Sequence, residues 1–154
     1  MNTRVMKTVI GGLVAVAMAF AMSGTVRAGA DNAAQVCSVG TLKGLYIWTF
    51  DGYADLGGTL VPKAVMQGTR FNGDGTTINA FGTVNIGGTI IIDVTGGVGT
   101  YTVAADCTGT LSIPDGPSFN MYVGPGAQKF WFTQIAGGAG DGSGVGVGTA
   151  TRLP

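Results

Sequence analysis

Side chains that could act as acids, bases or nucleophiles are few in this sequence. It contains no histidine, so a serine or cysteine nucleophile would lack the base that usually activates it. Asp51 and Asp93 lie within apolar, strand-like segments, and two neighbouring carboxyl groups are what glycosidase-type chemistry requires. Tyr46 and Tyr101 complete the set of catalytic candidates. The alternative interpretation of the two aspartates is that both are outward-facing strand carboxylates.

The sequence predicts neither a metal site nor a cofactor site. Zinc sites use Cys and His, and two cysteines without histidine do not supply one. The run Asn-Gly-Asp-Gly at 72–75 resembles part of a calcium loop, but it lacks the further oxygen ligands and the closing Glu. We interpret it as a hairpin turn. The glycine-rich segment 137–144 lacks the Lys-Ser/Thr of a phosphate-binding loop and is interpreted as a flexible loop.

Aromatic side chains are the main indication of a binding site. Small-molecule sites usually combine an apolar wall with a few polar groups, and several segments place aromatic residues at alternate positions. The predicted ligand-binding residues are Tyr46, Trp48, Phe50, Phe119, Met121, Phe130 and Phe132. The alternative is that these side chains fill a core, since buried rings contribute large apolar areas.

The segment 96–113 shows how such residues would be positioned. Its apolar side chains alternate with threonines, which is the period of a strand with one buried face. A turn at 106–109 would divide it, with Gly109 as the left-handed residue that usually closes a three-residue hairpin loop. We therefore predict a hairpin of strands 98–106 and 110–113 with Cys107 at its tip.

The remainder of the sequence after residue 43 repeats this pattern in short apolar runs separated by turn residues. Eight or nine strands at regular spacing, without a helical period, predict an all-β fold, and apolar residues on both faces of several strands favour closure. The expected fold is a single antiparallel β-barrel of about eight strands, which is wide enough to fill itself or to hold one small ligand.

The N-terminus has the pattern of an export signal. Arg4 and Lys7 precede an apolar run from 9 to 22, and small residues follow, as in a secretory signal peptide. We predict a signal peptide over 1–30 and a barrel domain over 31–154, secreted or periplasmic and not held at a membrane after cleavage. The barrel domain would carry five basic and eight acidic side chains, so no nucleic-acid partner is expected.

Cys37 and Cys107 are the two cysteines of the sequence. Because an exported chain meets an oxidising compartment, a disulfide between them is the expected state. It would connect the segment before the first strand to the tip of the 98–113 hairpin.

Four motifs carry a resemblance to known proteins. They are Cys-Ser at 37–38, Leu-Lys-Gly-x-Tyr at 42–46, Phe-Asn-Gly-Asp-Gly at 71–75, and Gly-Thr-Tyr-Thr-Val-x-x-Asp-Cys-Thr-Gly-Thr at 99–110. Together they resemble a set of small exported bacterial proteins, mostly uncharacterised, which are similar in strand number and size to calycin-like and allene oxide cyclase or dirigent-like barrels. The resemblance implies a cup with an apolar interior and does not imply an activity.

Three functions follow as hypotheses. The first is binding of a small hydrophobic or aromatic ligand inside the barrel. The second is a cyclase- or isomerase-like enzyme that shapes a flexible substrate in a dry pocket. The third is an extracellular structural or surface-assembly protein, because strands rich in Gly and Thr and poor in charge could associate with one another. The sequence leaves self-association open.

Overall fold

The computed structural model describes the backbone of residues 35–93, 95–137 and 144–154, and the side chains of these residues other than 91–93. The predicted signal peptide, the interior of the predicted 137–144 loop and the side chain of Asp93 lie outside the described residues. Within the described part, no helix has the length and hydropathy needed to cross a membrane.

The described chain contains nine antiparallel strands and two short 3-10 turns. The strand bounds are β1 (Lys43–Leu56), β2 (Thr59–Asn72), β3 (Thr76–Ile86), β4 (Thr89–Asp93), β5 (Val98–Val103), β6 (Thr108–Ser112), β7 (Ser118–Val123), β8 (Lys129–Ala136) and β9 (Val145–Arg152). Eight of them close into a ring in the order β1-β2-β3-β5-β6-β7-β8-β9, with β9 paired to β1. The short strand β4 pairs with β3 beside β5. The predicted eight-stranded antiparallel barrel is thus confirmed.

Alternation along the strands sends one set of side chains into the barrel. On β1 the inward residues are Tyr46, Trp48 and Phe50, each buried, while Thr49 and Asp51 between and beyond them are exposed. The same alternation buries Phe119, Met121 and Val123 on β7 and Phe130 and Phe132 on β8.

Two glycines of β9 make room for this aromatic filling. A Cβ at Gly146 would lie 2.5 Å from the Cζ atom of Phe50, and one at Gly148 would lie 2.4 Å from that of Phe132. The rings therefore occupy the volume that side chains on β9 would need.

A bulge in β3 changes the alternation halfway along that strand. Gly68 of β2 is opposite Phe81, whereas the next residue, Thr69, is opposite Asn79. The extra residue, Ala80, shifts the inward positions of β3. Asn79 and Gly82 consequently both face the interior and are buried.

The two cysteines form the predicted disulfide. It joins the segment before the 3-10 turn Val39–Thr41 to the hairpin between β5 and β6, and both residues belong to the hydrophobic core.

The hairpin turn itself differs from the prediction. Cys107, with a φ of 68°, is the left-handed residue, and β6 begins at Thr108. Gly109 instead lies within β6. A Cβ at this position would be 2.1 Å from the carbonyl oxygen of Thr102 on β5. The glycine is required for the close approach of β5 and β6 rather than for the turn.

Candidate functional site

The buried aromatic rings form two groups along the barrel axis. At the end that carries the disulfide, the ring of Phe71 contacts Tyr46, Tyr101 and Phe130, with centroids 5.0–5.5 Å apart. The 3-10 turn and the fully buried Leu42 belong to the same end. We call this the closed end.

The second group borders a partly open cavity of about 370 Å³ at one end of the barrel. Trp48, Phe50 and Phe119 contribute its aromatic wall, and the connection between β6 and β7 contributes part of the rim. The residues that line it within the described chain are Trp48, Phe50, Lys63, Val65, Gln67, Asn79, Val84, Gly97, Val98, Ile113, Pro114, Asp115, Gly116, Pro117 and Phe119. Because the hairpin tip with Cys107 lies at the other end of β5 and β6, the cavity is at the end of the barrel opposite the disulfide.

A cationic group lies at the side of this cavity. The Nζ atom of Lys63 donates a hydrogen bond to Oε1 of Gln134 at 2.9 Å and lies 4.9 Å from the centroid of the Phe50 ring. The side chain is buried, and Gln134 in turn donates to the carbonyl of Gly137. A buried ammonium of this kind is stabilised by hydrogen bonds and by the face of an aromatic ring.

Four side chains form a hydrogen-bonded group deeper in the barrel, which we call the floor network: Trp48, Gln67, Thr69 and Asn79. The Oγ1 atom of Thr69 is at its centre. It accepts from Nε1 of Trp48 at 2.8 Å and from Nε2 of Gln67 at 3.1 Å, and it donates to Oδ1 of Asn79 at 3.0 Å. Polar groups buried in a barrel interior need such partners.

The structure divides the predicted ligand-binding residues. Trp48, Phe50 and Phe119 line the cavity, whereas Tyr46 and Phe130 pack at the closed end. Met121 and Phe132 are buried in the core and are not part of the described cavity lining.

Of the catalytic candidates with described side chains, Tyr46 and Tyr101 lie near each other at the closed end, and Asp51 does not join them. Tyr46 donates a hydrogen bond to the carbonyl of Ala127 at 2.7 Å. The Tyr101 hydroxyl lies 2.9 Å from the carbonyl oxygens of both Val39 and Leu42 and accepts from the amide of Gly73. Both phenols therefore hold the closed end together.

The third candidate, Asp51, is exposed on the outer face of β1. It does not line the described part of the cavity, and it lies apart from the two tyrosines of the closed end.

Burial changes the acidity of the two closed-end phenols. It raises the pKa of Tyr46 above its usual value, although the positive charge of Arg152 acts in the opposite direction. Burial likewise raises the pKa of Tyr101, against hydrogen bonds to backbone groups that lower it. Both tyrosines are thus neutral hydrogen-bonding groups at neutral pH.

We expect these two tyrosines to make the protein sensitive to alkali. Below a pH of about 10 both are protonated in the folded and unfolded states, and above it the unfolded state ionises first. The free energy of unfolding should therefore be independent of these groups below about pH 10 and fall as the pH rises further. Urea denaturation at a series of alkaline pH values measures this slope.

The matched variants are Tyr46→Phe and Tyr122→Phe, since Tyr122 is half-exposed on the outer face. Tyr46→Phe should make the alkaline slope shallower, and Tyr122→Phe should leave it as in the wild type. Equal slopes in all three proteins would contradict the assignment.

Sequence reasoning missed the polar residues of the cavity. Lys63, Gln67 and Asn79 were not among the predicted site residues. The signal for the first two was present, because β2 places them on the same face as the buried Phe71. Polar residues at inward positions of a strand indicate either that they hydrogen-bond to one another or that they bind a ligand.

Comparison of the chain with models of protein families, with curated proteins and with solved structures gave no match.

Proposed function

We propose that the protein binds a small hydrophobic or aromatic molecule inside the barrel, at the cavity opposite the disulfide. The observation that carries this proposal is the cavity itself, whose wall is mainly aromatic and aliphatic and whose polar groups are few. Ligand sites usually have this composition, and the volume of about 370 Å³ lies within their usual range. A fully packed barrel of this size would have left no such space.

Binding is proposed rather than catalysis because the three predicted catalytic residues with described side chains do not line the cavity. Tyr46 and Tyr101 are at the closed end and Asp51 is on the outer face. We place the protein outside the cytoplasm, since a disulfide between Cys37 and Cys107 is typical of an oxidising compartment.

A variant that fills the cavity tests the proposal. Val84 is an inward residue of β3 that lines the cavity, so Val84→Phe should occupy part of the space and abolish binding. The control is Val147→Phe, because Val147 is exposed on the outer face of β9. Fatty acids, terpenoids and phenolics would be screened against all three proteins by thermal shift and native mass spectrometry.

We expect at least one ligand class to stabilise the wild type and the Val147→Phe variant. At a ligand concentration of 100 Kd the stabilisation would be about 2.7 kcal/mol. Val84→Phe should show no stabilisation by the same ligand. The proposal would be overturned if no compound in the screen bound the wild type, or if Val84→Phe bound the same ligand as tightly as the wild type.

A further inference from the structure

The floor network has a property that goes beyond a general apolar cavity. We propose that it recognises a neutral ligand group which both donates and accepts a hydrogen bond, such as an alcohol, a phenol or a primary carboxamide. An apolar body attached to that group would fill the aromatic part of the cavity. This inference rests on the proposed function and names the chemistry of its ligand.

The argument begins with the single proton of Thr69. A hydroxyl group has one donor and two acceptor lone pairs, and one lone pair is taken by Nε1 of Trp48. Thr69 can then accept from one of its two amide neighbours and must donate to the other. In the structure it accepts from Gln67 and donates to Asn79.

This arrangement determines what the two amides have left. Gln67 uses one hydrogen of its NH₂ group on Thr69, which leaves its carbonyl oxygen Oε1 wholly unused, and Asn79 uses one lone pair of its carbonyl oxygen, which leaves its Nδ2 group wholly unused. If both amides were rotated, the roles would exchange, but one unused carbonyl oxygen and one unused NH₂ group would still remain. The complementary pair is therefore a consequence of the threonine proton and not of the amide orientation.

Both remaining groups belong to buried side chains on the cavity. Gln67 is 3% exposed and Asn79 is 4% exposed, and both line the cavity. The hydrogen bonds described for either side chain go to Thr69 alone. No buried polar side-chain atom among the described residues is completely enclosed without a partner, so the remaining amide groups face the cavity space.

The fold makes room for this pair. The β3 bulge brings Asn79 and Gly82 to the interior together, and a Cβ at Gly82 would lie 3.3 Å from Oε1 of Gln67. A larger residue at Gly82 would press on the acceptor atom.

A hydroxyl group satisfies both amides at once, because it can donate to one and accept from the other. An ether can only accept and would leave the amide oxygen without a donor, which is costly in a buried site. An ionised carboxylate is also an acceptor only, so at the floor network it would leave the same oxygen without a donor. Lys63, the cationic residue of the cavity, donates to Gln134 and lies over the Phe50 ring rather than belonging to the floor network. A site built to hydrogen-bond a ligand hydroxyl discriminates strongly against an analogue without it.

Trp48 provides the readout for a matched ligand series. Its ring lines the cavity, whereas the other tryptophan, Trp131, is exposed on the outer face. In a Trp131→Phe background, Trp48 is the single tryptophan of the chain. Its fluorescence would be titrated with 1-octanol, octanamide, methyl octyl ether and octanoate, which do not absorb where tryptophan is excited.

We expect 1-octanol and octanamide to bind at least about tenfold more tightly than the ether and octanoate. Gln67→Met in the same background should bring 1-octanol and the ether to within about twofold of each other. The control, Gln128→Met, replaces an exposed glutamine of the closed end and should retain the wild-type preference.

The outcomes separate this inference from the proposed function. Equal binding of all four compounds, or tighter binding of octanoate, overturns the inference and leaves ligand binding in place. If none of the four compounds binds and the ligand screen also detects no binding, both the inference and the proposed function are overturned. The comparison of the four compounds on the Trp131→Phe protein tests the inference even if Gln67→Met does not fold.

Discussion

Replacing Cys37 and Cys107 together by alanine is expected to lower the free energy of unfolding by about 4 kcal/mol. The disulfide joins residues separated by 70 positions, and in the chain-entropy model a loop of this length restricts the unfolded chain strongly. Both cysteines are also buried against the closed end. Urea denaturation of the double variant and the wild type measures the difference.

Reduction provides the matched control for this prediction. Dithiothreitol should destabilise the wild type to about the level of the double variant, and it should leave the double variant unchanged. A reduced wild type as stable as the oxidised protein would show that the bond between Cys37 and Cys107 does not stabilise the barrel.

Truncating Phe71 to alanine is expected to cost about 4 kcal/mol of unfolding free energy. Its ring is 1% exposed and lies between Tyr46, Tyr101 and Phe130. Removing it would leave a cavity among rings that are held in place by strands and hydrogen bonds, so the neighbours can collapse only partly. Urea denaturation gives the measurement.

Phe81 offers the control, because it lies on the neighbouring strand but on the outer face, where it is 38% exposed. Phe81→Ala should cost less than half as much as Phe71→Ala. Similar losses for the two variants would contradict the assignment of Phe71 to the core of the closed end. Phe71→Ala should also keep its ligand affinity, because Phe71 is not among the residues that line the described cavity.

These predictions assign different roles to the two ends of the barrel. The closed end contains the disulfide, the two buried phenols and a close-packed group of rings, so it contributes mainly to stability. The opposite end contains the cavity, Lys63 and the floor network. Stability and binding can therefore be altered by separate substitutions.

The sequence was most informative about which side chains share one face of a strand, because this depends on the strand alone. Alternation alone grouped Phe119 with Met121 on β7 and Phe130 with Phe132 on β8, because successive side chains of a strand point to opposite sides. The structure then shows that both of these faces are the buried ones. Alternation also grouped Tyr46, Trp48 and Phe50 on one face of β1 but did not show whether that face points inward, since Leu45 and Ile47 on the other face are apolar too. Only closure of the barrel decided this.

The residues of the 106–109 turn did not predict its left-handed position correctly. A glycine two residues after Cys107 suggested a left-handed position at Gly109, whereas the structure gives that conformation to Cys107. Gly109 is required because the backbone of Thr102 on the partner strand leaves no room for a side chain. The sequence of the hairpin does not show this contact. Glycine is required for two different reasons, positive φ and close approach, and the sequence does not distinguish them.

By itself, then, the sequence determined the all-β class, the approximate number of strands and the cysteine pair, because these follow from residue type and local period. Tertiary structure decided where the space inside the barrel lies and which polar groups face it. Trp48, Lys63, Asn79 and Phe119 meet at the cavity only because β1, β2, β3 and β7 belong to one closed ring. The bulge at Ala80 then selects which residues of β3 point inward, and a one-residue shift of this kind exchanges the two faces of a strand.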